Sequence, residues 1–224
     1  MQFCNDSGII IKTLVSNFSK CQPKYFSSTT FKNDVNKITD VLYNDIKKGE
    51  KYIKNKITNK CYQTKILQNE DIIIPKGYKS NFFPEYIRKY IDNHCKSQLV
   101  YSCKIAEHPI TIRVGLFNNE KLEKLEKEIR LMFVWLYMCY QYSDINCAKT
   151  LDIYLFFTPF KKILPSRNTE ILGAEHVNTG FSYQCSPNGE IIIYREEEWM
   201  KVFIHETFHA FGFDIDVYSE KISI

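Results

Sequence analysis

This sequence contains no Cys-x-x-Cys pair, although eight of its 224 residues are cysteine. A ribbon- or knuckle-type zinc site, which needs closely paired thiolates, is therefore excluded. The N-terminus also lacks a basic start, an apolar core and a small-residue cleavage site. No export signal is read there, so a cytoplasmic location is expected. Cys4, Cys21, Cys61, Cys95, Cys103, Cys139, Cys147 and Cys185 are accordingly expected to be reduced rather than bridged. Long apolar runs are missing as well. The stretch 131–139 is apolar but too short to cross a bilayer, so no membrane span is expected. Lysines are dispersed, with short runs at 47–48, 51–56 and 161–162, and the formal charge is only +4. Without a basic arm or stripe, no nucleic-acid partner is expected. Glycine is scarce, at eight residues, and no segment is repetitive. Aromatics make up 15% of the chain, which predicts a packed globular protein rather than a disordered one.

The pattern of apolar residues sorts the chain into elements. Residues 31–57 have helical spacing through Val35, Ile38, Leu42, Ile46, Ile53 and Ile57, with Gly49 as the expected break. Segments 61–67 and 71–74 read as short strands ended by Pro75 and Gly77. Residues 83–93 read as a short helix with Pro84 in its first turn. Two strands, 99–106 and 110–117, bracket a turn at Glu107-His108-Pro109. Asn118 or Asn119 can cap a long helix to about Tyr142, along which Leu122, Leu125, Ile129, Phe133, Leu136 and Tyr140 step by three and four. Cys139 falls in its apolar part and reads as a core residue. Then follow a buried strand at 151–157, an extended edge segment at 175–183, a turn at 186–189 and a buried strand at 190–195.

The chemistry concentrates in what comes next, His205-Glu206-Thr207-Phe208-His209. Two histidines four residues apart lie on one face of a helix, one turn from each other. Their imidazoles can grip one Zn²⁺ at about 2.0–2.1 Å. Glu206, beside the first of them, can act as general base towards a water that the metal acidifies. The plain alternative is a helix whose histidines face the core. The surroundings favour the metal: a buried strand leads in, Glu196-Glu197-Glu198 place negative charge at the helix start, and Gly212 ends the helix.

A catalytic zinc site takes three protein ligands and keeps one position open. Three residues beyond Gly212, where metzincins carry a ligand, stands Ile215, which cannot bind metal. Asp214 is taken as the third ligand, with Asp216 and Cys185 as alternatives, a partner chain as a further source, and Glu220 somewhat further on. Cys185 would make the site deformylase-like. Val177-Asn178-Thr179-Gly180 is the candidate substrate rim, so Asn178, Thr179 and Gly180 are taken as substrate-binding residues; an ordinary turn into a strand is the other reading. His176 could handle protons at that rim or simply sit on a turn, and Tyr218 could polarise a substrate carbonyl. His94 and His108 have no partner spacing and read as structural.

Glu175-His176-Val177-Asn178-Thr179-Gly180, Ile193-Tyr194-Arg195-Glu196-Glu197-Glu198-Trp199 and Lys201 to His209 with Phe211-Gly212 and Asp214 resemble zincin-like metallopeptidases encoded by large DNA viruses. The likeness is best over residues 150–216 and extends to about 99. It implies an α+β fold, in which a mixed sheet carries a backing helix and a C-terminal active-site helix. It divides the chain into an N-terminal α/β region of unknown role, 1–95, and a zincin-like domain, 96–224. It also implies a zinc-dependent peptidase that acts on peptides or proteins in the host cytoplasm or the virion, with His205 and His209 as ligands and Glu206 as catalytic base. Family chains continue past this helix into a segment with further acidic residues, so this chain is expected to be a C-terminally shortened member. The alternative is a catalytically degenerate relative with a structural or interaction role, its site completed or covered by a partner chain.

Overall fold

Alternating β-branched and aromatic residues build most of the sheet, and their period of two decides which helix each face meets. The computed structural model describes residues 29–58, 62–117, 122–163, 165 and 171–214. The chain divides into two compact units, residues 1–48 and 49–224. Helix α1, Thr29–Thr58, begins in the first and ends in the second. It runs unbroken through Gly49, contrary to the expected break. A Cβ there would lie 3.1 Å from Val134 Cγ1 and 3.2 Å from Tyr137 Cδ1, so this glycine serves close helix packing rather than a turn.

In the second unit the order is β1 (Tyr62–Gln68), α2 (Glu85–His94), β2 (Ser97–Ile105), β3 (His108–Leu116), α3 (Leu122–Tyr142), β4 (Thr150–Phe156), the short α4 (Ala174–Val177), β5 (Gly180–Ser182), β6 (Asn188–Ile193) and α5 (Trp199–Phe211). The strands form one mixed sheet in the order β1-β2-β3-β4-β6-β5. Neighbours β3–β4 and β4–β6 are parallel, and the other pairs are antiparallel. The fold is thus α+β with a mixed six-stranded sheet, as its class was expected to be. The caps proposed at Asn118 or Asn119 lie outside the described residues.

Three expected elements differ. Residues 71–74 form no strand; Gln98, fully buried, takes the strand partner's place by accepting from Ile73 N at 3.3 Å and donating to Ile73 O at 3.0 Å. The β2–β3 turn falls on Ala106 and Glu107, both with positive φ, so β3 already begins at His108. Within 175–183 only Gly180–Ser182 is strand, because 174–177 close into a helical turn first.

One face of the sheet turns Tyr154, Phe156, Phe181, Ile192 and Tyr194 towards Phe83, Ile87 and Ile91 of α2 and its lead-in. Phe83 stacks on Tyr194 at 4.6 Å between ring centroids. Residues between 62 and 95, read from sequence as a region apart, therefore supply an edge strand and half of one core. Alternation sends the next residues, Ser182, Ile191 and Ile193, to the opposite face, where α5 packs on β5 and β6 and touches α3. Gly180 is demanded by this junction, since a Cβ there would lie 2.5 Å from the Ile192 carbonyl oxygen. Gly180→Ala is expected to destabilise the protein by about 1–3 kcal/mol, read from the shift of a denaturation midpoint. An unchanged midpoint would mean that β5 is not held against β6 as described.

No helix among the described residues is long and apolar enough to cross a membrane.

Candidate functional site

Helix α5 has a buried stripe and an open face, and the motif is split between them. Phe203, Glu206, Thr207, Ala210 and Phe211 are buried, at the i, i+3, i+4, i+7, i+8 spacing of a helix packed on a core. Two polar members of that stripe are satisfied internally. Thr207 Oγ1 accepts from Trp135 Nε1 of α3 at 2.8 Å and donates to the Ile204 carbonyl at 2.6 Å. Glu206, 6% exposed, accepts at Oε2 from Ser182 Oγ of β5 at 2.7 Å. His205 stands exposed on the other face and the His209 side chain is 36% exposed, so the histidines do not belong to the core.

The two imidazoles converge. Their Nε2 atoms lie 3.1 Å apart and their rings stand at 89°. Two nitrogens on one tetrahedral zinc at about 2.0–2.1 Å would lie about 3.3 Å apart, so the pair fits a shared metal with a shift of tenths of an ångström. On the far side of its ring, His209 donates from Nδ1 to Asp214 Oδ2 at 2.8 Å. A carboxylate only accepts, so this bond places the proton on Nδ1 and leaves the Nε2 lone pair for a metal. Carboxylate–imidazole pairs of this kind orient metal-bound histidines. Asp214 thus occupies the orienting position behind His209 rather than the expected position of third ligand. Asp214→Ala is expected to weaken zinc binding about 10–100-fold, measured by chelator competition. An unchanged affinity would remove Asp214 from the site.

The helix ends are built for this placement. Glu198 caps the start in the left-handed region, φ 57°. Its carboxylate bonds to Lys162 Nζ at 3.0 Å and Lys201 Nζ at 3.2 Å, and these lysines, Lys162 foremost, hold its carboxyl below the usual range. Glu196, Glu197 and Glu198 therefore precede the helix instead of occupying its first turn; Glu197 accepts from Lys162 N at 2.9 Å. At the far end Gly212, φ 72°, turns the chain back so that Phe213 N donates to the Phe208 carbonyl. That reversal brings Asp214 under His209.

Other expected site residues lie elsewhere. Cys185 is joined to Cys147 in a disulfide, so it offers no free thiolate to a metal, and this pair departs from the expectation of reduced cysteines. Cys95, Cys103 and Cys139 are buried thiols, and burial pushes Cys139 up to about 12, consistent with a core role. Thr179 is 1% exposed and Gly180 is walled in by β6, so neither presents itself to a substrate; Asn178 is half-buried and donates its N–H to the Ala174 carbonyl. His176 accepts from Gly173 N at 2.8 Å and closes the α4 turn. His94 stacks on Tyr90 and His108 on Tyr140. Asp216, Tyr218 and Glu220 lie outside the described residues. Among the described residues no group of three or more His, Cys, Asp or Glu side chains is placed to hold a metal. The residue that sequence reasoning missed is Ser182, whose approach to Glu206 depends on the pairing of β5 with β6 and leaves no local signal.

The class defined by these features is an α+β protein with a mixed sheet, whose edge strand β5 and helix α5 jointly hold the motif. In comparisons with known proteins, no family model, no curated protein and no solved structure matches the chain.

Proposed function

We propose that this chain is a zinc-dependent metallopeptidase of zincin type, with His205 and His209 as metal ligands and Glu206 as general base. The observation that carries the reading is the convergence of the two Nε2 atoms at 3.1 Å, one helical residue from a buried carboxylate. Further support comes from the backing helix α3, the antiparallel edge strand β5 beside α5 and the resemblance of 150–216 to metallopeptidases of large DNA viruses. Zinc, when bound, would supply a Lewis acid that acidifies a water and polarises the scissile carbonyl. His205 and His209 each turn an Nε2 towards the shared position, and Asp214 holds His209 in the tautomer that can bind. Glu206 accepts the proton of the attacking water and returns it to the leaving amine. Ser182 holds Oε2 of the Glu206 carboxylate at 2.7 Å. The outer edge of β5, the last strand of the sheet among the described residues, is where an extended peptide would pair. The third ligand is assigned to Asp216, Glu220 or a partner chain.

The decisive experiment incubates the purified chain with a mixed-sequence peptide library and reads cleavage by mass. Cleavage that a chelator stops and zinc restores is the expected result. Cleavage indifferent to chelation would contradict the reading. A second reading is a non-catalytic zincin relative with a structural or interaction role, in which Asp214 serves only to hold His209 through Nδ1 at 2.8 Å. It predicts a folded chain that cleaves nothing with zinc present.

A further inference from the structure

The Cys147–Cys185 disulfide lies against the end of α5 that carries His209. Cys185 N donates to the His209 carbonyl at 2.9 Å. A Cβ on Gly212 would lie 3.0 Å from Cys147 Sγ and 3.7 Å from Cys185 Cβ, so the bridge forms the wall against which the helix reverses towards Asp214. The bridge joins two loops that converge at this point, the α3–β4 loop and the β5–β6 loop. Ala148 N donates to the Ser186 carbonyl at 2.8 Å, and Tyr140 Oη donates to the Ala148 carbonyl at 2.7 Å. Cys185 and Ala148 both adopt positive φ, 42° and 46°, a conformation that a side chain disfavours and that surrounding contacts must enforce. Cys147 is buried, whereas Cys185 is partly exposed.

We propose that this disulfide is a redox-controlled clamp on the metal-binding end of α5, so that reduction weakens metal binding by releasing the seat of His209 and Asp214. The inference rests on the metal-site reading above. In the step itself, a thiolate of a dithiol reductant attacks Cys185 Sγ and breaks the bond to Cys147 Sγ. Cys147 leaves as a thiolate and takes up a proton. The second thiol of the reductant then closes on the first, releasing Cys185 as a thiol. Two electrons and two protons pass to the protein, and the reductant becomes a disulfide. Cys185 and Ala148, the neighbour of Cys147, can then relax from positive φ, and the Cys185 N–H to His209 bond loses its tether.

The test measures zinc affinity of the full chain by competition with a chromophoric chelator in three forms: oxidised, reduced with a phosphine, and Cys147→Ala/Cys185→Ala. The expected result is a roughly tenfold or greater loss of affinity in both opened forms, the range for losing an outer-shell support. Hydrogen exchange should quicken at the Cys185 and Gly212 amides while the β3, β4 and β6 amides stay protected. Should the double variant fail to fold, the oxidised and phosphine-reduced wild type still give the comparison. Equal affinity of those two overturns the clamp. Tighter zinc binding on reduction also overturns it and makes Cys185 a ligand. Absence of zinc from the oxidised wild type instead overturns the metal-site reading on which the clamp depends.

Discussion

Glu206→Gln is expected to lower peptide hydrolysis by about 10²–10⁴-fold, the range for losing a general base, while zinc content stays at the wild-type level. The amide is nearly isosteric with the carboxylate and keeps an oxygen that can accept the Ser182 hydroxyl, now 2.7 Å from Oε2. The substitution leaves in place the His205 and His209 rings, whose Nε2 atoms are 3.1 Å apart on the open face of the helix. Binding and chemistry should therefore separate. Zinc analysis and cleavage rates on the same preparation check this. Full hydrolysis by the variant would place the base elsewhere. Loss of zinc together with activity would place Glu206 among the ligands, which its position in the buried stripe argues against.

Phe83→Ala is expected to destabilise the protein by about 3–5 kcal/mol, the cost of emptying a large buried aromatic site. Phe83 is 1% exposed and lies among Tyr78, Phe156, Phe181 and Tyr194. Its loss would undercut β6, which leads into α5, and β5, which carries Ser182. A chemical denaturation curve measures the effect, and a single transition is expected because these residues share one core. A loss below about 1 kcal/mol would mean that the segment before β2 is not integral to the unit.

Much of the fold was legible where one physical signal dominated. The three-and-four spacing of Leu125, Ile129, Phe133 and Leu136 gave α3, whose side chains at those positions are buried. The run Ile191-Ile192-Ile193 marked β6, a strand covered on both faces. A role that depends on a distant partner leaves no local signal. Gly49 looked like a helix break, but its hydrogen side chain admits Val134 and Tyr137. Residues 71–74 looked like a strand, but the buried Gln98 side chain satisfies Ile73 in place of a ladder. At the site, the His205–Glu206–His209 spacing was plain, while three further roles were not. Ser182 reaches Glu206 only through the antiparallel pairing of β5 with β6. Asp214 stands close to the motif in sequence, but the Gly212 reversal turns it behind His209 instead of beside Nε2. Cys147 and Cys185, 38 residues apart, meet only because two loops converge at the end of α5.

The central claim is that His205 and His209 hold one zinc ion. It is tested most directly by the metal content of the oxidised, purified chain after zinc loading and gel filtration. The account predicts about one zinc per chain, with none retained by His205→Ala or His209→Ala. A folded wild-type chain that retains no zinc, or a double histidine variant that retains a full equivalent, would contradict it.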